Sequence, residues 1–319
     1  MDHSDNQRNQ MKIKSLLFFA ACFVTVLCFG QTQVSTDTSV IVIPHWKKGD
    51  IHKVKFSSTT INKHDGKEAK YLSVFEASFS VIEKDTTGYI VEWVYTKCSL
   101  APGDITTENQ ILAGLVNTKL VCKLSTTGRF KDLENADELM VATGKVVDDL
   151  INKSQQDPTM NIQYVGVKNM LVSKQALELV LLKQIKFYNF SFGYKYRLNF
   201  VQTNKLKMPS LFGGQPYDGV EKVELKKLDN PNAVCIIETS KTVDNQLLKT
   251  GLMEYLKKAA AQAGKQMDTN FNNENLEYTE ATMQQIEFNK GLIQKADFTR
   301  VVNLGIQNRT IVIAIEAAD

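Results

Sequence analysis

The chain is poor in the residues that punctuate or staple a fold. Six prolines and 17 glycines among 319 residues exclude a collagen-like or linker-like polymer. Five cysteines without a CxxC pair exclude a disulfide-dense mini-protein and offer neither a redox motif nor a zinc knuckle. Arginine is scarce, with only Arg8, Arg129, Arg197, Arg300 and Arg309. Nucleic-acid sites use clustered basic charge and bidentate arginine. Here lysine alternates with acid, as in Lys222-Val223-Glu224, and the net charge is only +3. No nucleic-acid partner is expected. Apolar residues make up 43% of the chain, too many for a disordered protein and enough for a substantial core.

The strongest local pattern is at the start. Met11-Lys12-Ile13-Lys14 is a short basic stretch. Leu16–Phe29 is an apolar run broken only by Thr25, and Cys28-Phe29-Gly30 places small residues at −3 and −1 before Gln31. This is the three-part layout of a secretory signal peptide, with an apolar run too short to span a bilayer. Cys22 and Cys28 lack the context of a lipidated cysteine. The expectation is a leader at 1–30, an exported chain with no transmembrane span after cleavage, and a periplasmic, outer-membrane-associated or extracellular address. The polar residues 31–39 form a flexible lead. Cys98, Cys122 and Cys235 remain in the mature chain; Cys98–Cys122 is the likeliest disulfide pair if their strands are neighbours, and otherwise all three are small buried hydrophobes.

The body divides into a β-rich half at 40–134, a helical connector at 135–189 and a second β-rich half at 190–319. Period-two alternation marks half-buried strands. Val54 and Phe56 share one face. Phe75, Ala77, Phe79 and Val81 form the inner face of the next strand, and Tyr89, Val91, Trp93 and Tyr95 that of a third. Helices are expected after Thr107 and Asn135, each opening with a capping box, over about Val167–Tyr188, and after the cap Asp244. Phe190–Met208 alternates like one long strand, and three strands close the chain. The fold class is α+β: predominantly antiparallel, curved sheets in two β-meander halves, a pseudo-repeat, packed with about four helices.

Trp46-Lys47-Lys48-Gly49-Asp50 and Gly88-Tyr89-Ile90-Val91-Glu92-Trp93-Val94-Tyr95, behind a leader, resemble a family of secreted Gram-negative envelope proteins with a WKKGD opening and a GYxxxWxY strand. The likeness covers about residues 40–100. It brings no assigned activity and no catalytic residues.

Known chemistry leaves few marks. His45, His52 and His64 lie close in sequence but at irregular spacing, without a carboxylate or cysteine to complete a metal set. There is no G-x-S-x-G, H-E-x-x-H, Walker-type loop or G-x-G-x-x-G, so no cofactor is expected. Asp148-Asp149 and Glu134/Asp137/Glu138 are adjacent acids, the latter at a helix start where negative charge is favoured in any case. What remains are aromatic residues on long strands: Phe75, Phe79, Trp93, Tyr95, Tyr194, Tyr196 and Phe200. A curved sheet bearing them is expected to hold an apolar ligand such as a lipid, or a protein partner, unless helices seal the face into plain core. The alternatives are an envelope hydrolase using an unfamiliar carboxylate pair and a structural or adhesion component.

Overall fold

The structure, a computed structural model, describes residues 38–318 apart from 65, 103–105, 172, 212–214, 263–275 and 306. The expected leader and all but the last residues of the polar lead lie outside the described residues. Strand β1 is Ser39–Ile41, followed by β2 (Ile51–His64), β3 (Lys67–Lys84), β4 (Gly88–Ser99), β5 (Lys119–Ser125) and β6 (Phe130–Leu133). Later come β7 (Lys195–Arg197), β8 (Val201–Met208), β9 (Tyr217–Asp229), β10 (Val234–Val243), β11 (Leu276–Glu287), β12 (Leu292–Leu304) and β13 (Gln307–Ala318). Helix α1 (Thr107–Gly114) lies between β4 and β5. Helices α2 (Ala136–Lys153), α3 (Pro158–Met170), α4 (Lys174–Leu181) and α5 (Lys183–Tyr188) form the connector, and α6 (Asn245–Gln262) follows β10.

Eleven strands make one antiparallel sheet in the order β6-β5-β4-β3-β2-β13-β12-β11-β10-β9-β8. The first long strand pairs with the last, so both β-rich halves meet along β2–β13, with Phe56 opposite Ile315. A separate pair, β1 with β7, ties residues 39–41 to the segment after α5. The alternation expected for β2, β3 and β4 is present: Val54, Phe56, Phe75, Ala77, Phe79, Val81, Tyr89, Val91, Trp93 and Tyr95 are all buried. Leu139 and Val147 of α2, Leu177 and Leu181 of α4, and Ile185 and Tyr188 of α5 belong to the same core.

The helical connector differs from expectation. Six helices are present among the described residues rather than about four, because the apolar stretch read as Val167–Tyr188 is three helices. The helical pattern breaks before Pro158, which also opens a further helix, α3: a first-turn proline gives up an N–H that has no intrahelical partner. Asp157 accepts from the Met160 N–H at 3.1 Å. The Ser173 hydroxyl accepts from Ala176 N–H at 3.2 Å and restarts the chain as α4. Leu182 separates α4 from α5.

Two expected caps are also reassigned. Asn135 makes no capping bond; its side chain spans β5, accepting from Val121 N–H and donating to the Lys119 carbonyl, both at 2.9 Å. Thr107 is already helical, Thr106 takes the cap position, and Gln110 instead accepts from the Tyr164 hydroxyl. Asp244 does cap α6, accepting from Gln246 N–H at 2.8 Å. The expected continuous strand Phe190–Met208 is interrupted. Asn199 adopts φ 58°, a left-handed conformation that ends one strand before the next begins. Only Lys195–Arg197 and Val201–Met208 are strands.

Buried polar contacts fasten the helices and connecting segments to the sheet. Tyr95 on β4 donates to Gln184 of α5 at 2.7 Å. Gln284 on β11, with no exposed surface, donates to the Phe187 carbonyl at 2.9 Å and accepts from the Ser191 hydroxyl. Trp46 donates to the Gly291 carbonyl at 2.9 Å. Gly291 has φ 65°, and a Cβ there would lie 2.4 Å from the Ile43 carbonyl oxygen, so no larger residue fits.

The expected Cys98–Cys122 disulfide is absent. Cys122 pairs with Val91 across β4–β5, whereas Cys98 lies seven residues further along β4, roughly 23 Å at strand spacing. None of the three cysteines is in a disulfide among the described residues. Burial pushes the Cys122 and Cys235 thiols up to about 12.

Two measurements test this core. Tyr95→Phe leaves the Gln184 carbonyl oxygen buried without a donor and lowers stability in urea by about 1–3 kcal/mol, while adding Gln184→Leu restores most of the loss. In native protein, a thiol reagent at neutral pH labels Cys98 well ahead of Cys122 and Cys235. In denaturant it counts three thiols if the leader has been removed and five if Cys22 and Cys28 remain.

Candidate functional site

The seven aromatic residues singled out from the sequence separate into three groups. Phe75, Phe79, Trp93 and Tyr95 have no exposed surface. They pack edge-on and tilted: Phe79 and Trp93 centroids lie 5.1 Å apart, Phe75 and Tyr95 5.9 Å. Helix α5 closes over them, with Tyr188 5.3 Å from Trp93. Burial raises the Tyr95 and Tyr188 phenols well above their ordinary range, as expected of groups held in an apolar interior. These four side chains fill space between sheet and helices.

Tyr194 is about half exposed, and the Arg129 guanidinium lies 3.7 Å from its ring centroid. Arg129 is itself held by the carbonyls of Phe192 and Gly193. This cation–π contact fastens the segment before β7.

Tyr196 and Phe200 do come together in a cleft. It has a volume of about 310 Å³ and is lined also by Lys195, Arg197, Gln202, Val223 and Leu225. Val223 and Leu225 come from β9 and Gln202 from the edge strand β8, where Gln202 is paired with Val223. Tyr196 is nearly buried and donates to the Ser191 carbonyl at 3.0 Å, whereas Phe200 is 57% exposed. Lys195 and Arg197 lie two residues apart on β7, and neither has a carboxylate within ion-pair distance among the described residues. The cleft therefore combines aromatic and aliphatic walls with two uncompensated positive charges. Sequence reasoning found its aromatics but not its cations, which read as the solvated face of one long strand.

A second feature was not anticipated. Asn204, Glu221, Lys241, Glu280 and Arg300 stand directly opposite one another on five successive strands, β8 to β12. Arg300 binds Glu280 through Nε at 2.8 Å and a terminal nitrogen at 2.6 Å. Asn204 donates to Glu221 at 3.0 Å, and Lys241 lies 3.7 Å from Glu221. The row is self-neutralising, and it lies between the main core and a smaller cluster of Met208, Tyr217, Val243, Leu248, Leu252, Leu276 and Tyr278. Each member shares its strand's inner parity with apolar neighbours, the one sequence signal for it.

A larger cleft, about 780 Å³, lies over the opposite parity of β8–β12 and includes Lys222, Glu224, Lys226, Glu238 and Asp297. Glu224 and Glu238 are cross-strand partners, and Lys226 reaches both, at 2.6 and 3.6 Å. The carboxylate pair thus shares one ammonium. Of the acids noted in sequence, Asp148 pairs with Lys168 at 2.5 Å.

His52 stacks on Phe79 at 5.7 Å, and its Nε2 is buried without a hydrogen-bond partner. Burial lowers its pKa below the ordinary 6.5, with Asp50 acting in the opposite sense. His45 is lowered by burial and by Lys84. With folded values below the unfolded ones, the unfolded chain takes up more protons as pH falls through about 6.5. The urea midpoint is therefore expected to be level above pH 7.5 and to drop by pH 5.5, and His52→Gln to shallow that slope. A midpoint that rises on acidification contradicts this account.

No family model matches the chain, and no curated protein matches it. Several solved structures align over most of its length, among them the following three. DynF from the dynemicin biosynthesis pathway of Micromonospora chersina is 6% identical, covering 90% of this chain and 92% of that one, with a TM-score of 0.18. A putative outer membrane lipoprotein-sorting protein domain from Vibrio parahaemolyticus is 10% identical over 84% of each chain, with a TM-score of 0.16. A DUF1329 family protein from Desulfovibrio piger is 10% identical over 90% of this chain and 86% of that one, with a TM-score of 0.19. Superpositions this loose carry no argument about what the chain does, so its chemistry rests on its own residues.

Proposed function

We propose that this is an exported, non-enzymatic envelope protein that binds an amphiphilic small molecule, an apolar body with an anionic head, on a curved sheet. The observation that supports it is the cleft of Tyr196, Phe200, Val223 and Leu225 with Lys195 and Arg197 beside it. Apolar walls with a few placed polar groups are the usual make-up of small-molecule sites, and about 310 Å³ lies at the small end of their range. Two cations without carboxylate partners favour a carboxylate or phosphate head. The sealed group Phe75, Phe79, Trp93 and Tyr95 is then plain core and not the lining of the site. The leader supports export, and the WKKGD and GYxxxWxY motifs support membership of the secreted envelope family they resemble.

The hydrolase alternative rests on Glu224 and Glu238 in the larger cleft, and their shared Lys226 speaks against a pair with divided acid and base roles.

The test uses lauric acid, followed by displacement of 1-anilinonaphthalene-8-sulfonate from the purified protein, with lauryl alcohol as the uncharged comparison. Lauric acid is expected to displace the dye at micromolar concentration and lauryl alcohol to do so far less well. Arg197→Glu and Lys195→Glu are each expected to weaken lauric acid about tenfold. Phe200→Ala, at an exposed position, is expected to weaken both ligands without lowering the unfolding midpoint. Affinities unchanged by all three substitutions overturn the site, and a mature protein whose mass does not begin at Gln31 overturns the proposed leader.

A further inference from the structure

A second cleft, of about 410 Å³, lies between α6 and the segment leading into β9. Its helix wall includes Gly251, Glu254, Tyr255 and Lys258, spaced i, i+3, i+4 and i+7 and so on one face. The other wall includes Gln215, Tyr217 and Asp218.

Two features of this cleft are unfavourable for folding alone. Tyr217 is 93% buried, yet its hydroxyl is buried without a hydrogen-bond partner. A buried hydroxyl in that state costs its full desolvation and calls for an explanation. Gly251 occupies the interior of an 18-residue helix, where glycine is disfavoured. A Cβ at 251 would lie 2.6 Å from the Tyr217 oxygen, so glycine is what leaves the phenol its place. Stability alone would favour phenylalanine at 217 and alanine at 251; the chain carries neither.

The wall chemistry narrows the occupant. A wholly apolar ligand would strip water from Gln215, Glu254 and Lys258 without replacing their hydrogen bonds. An anion would meet Glu254 and Asp218, and a simple cation would meet Lys258. Asp218 is already engaged by Lys207 at 2.6 Å. Donors and acceptors of both kinds stand around the ring of Tyr255, which is 49% exposed. A neutral, polyhydroxylated ring answers both parts: its hydroxyls donate and accept along the rim, its C–H face lies against an aromatic ring, and one hydroxyl supplies the partner Tyr217 lacks.

We propose that this cleft is a saccharide-binding site, separate from the amphiphile cleft and independent of that reading. The purified full-length protein is examined by saturation-transfer NMR and calorimetry with N-acetylglucosamine, diacetylchitobiose and maltose. At least one is expected to bind in the millimolar range or tighter. Tyr255→Ala weakens it at least tenfold, and Tyr217→Phe, which removes one oxygen, about fivefold or more. Tyr217→Phe also holds or raises the unfolding midpoint, so a lost signal is not lost folding. Lauric acid affinity stays unchanged in both variants, which keeps a failure here distinct from a failure of the first site. The proposal is overturned if none of the three sugars binds the unsubstituted protein, or if binding survives either substitution.

Discussion

The structure depends on covering one face of an eleven-stranded sheet. That face carries Phe56, Phe75, Phe79, Trp93 and Tyr95 from the N-terminal strands and Ile286, Ile293, Ile313 and Ile315 from the C-terminal ones, all buried. Left open, so much apolar area would drive association with other chains. The cover is assembled from α2 to α5, the strand pair β1–β7 and the turn after α5. A helix as short as α5, of 6 residues, holds its place poorly by propensity alone. It and the segment after it are pinned by contacts that reach across the sheet, Tyr95 to Gln184 and Gln284 to Phe187 and Ser191. Because these groups are buried, releasing any one of them exposes its partner to an interior with no substitute. The cover therefore sits in one position.

The charged row on β8 to β12 follows from the same geometry. Main core and smaller cluster occupy the same sheet face, one closed by the connector helices and the other by α6, with Leu248 and Leu252 in its core. The strands must cross the interval between them, and there the inner parity becomes polar. Glu221, Lys241, Glu280 and Arg300 are only partly exposed, at 18, 25, 11 and 30%, so they compensate one another and not through water alone. Cross-strand neighbours of opposite charge also favour one register over its slips, since a shift of one residue would turn every member to the opposite face.

How much of this was legible in the sequence depended on range. The inner faces of β2, β3 and β4 could be read because period-two alternation is a local property, and the cap at Asp244 because one side chain sets it. The β2–β13 pairing could not be read, since it joins residues some 250 positions apart and has no local signature. The connector was misjudged for a different reason: Pro158 reads as a break and not also as a helix start, and the Ser173 cap inside an apolar stretch was outweighed in a reading by composition. Tyr196 and Phe200 were found by their aromatic rings. Lys195 and Arg197 were passed over because in a single long strand they would face solvent, and only the break at Asn199 folds that segment back over β9.

The division between support and site also has a physical origin. On β3 and β4 the inner positions are large and apolar without exception from Phe75 to Val81, apart from Ala77, and from Tyr89 to Tyr95. Such strands close on their cover, and the polar group they bury without a hydrogen-bond partner is the Trp93 indole N–H. On β8 to β10 the inner positions mix Gln202, Asn204, Val223, Lys241 and Thr239 with glycine at 219, and helices cover them only in part. Departures from a well-formed pattern collect where a chain has a task besides folding. By that measure both clefts proposed above fall at the C-terminal edge, where Lys195 and Arg197 flank Tyr196 and an unpartnered hydroxyl lies against Gly251.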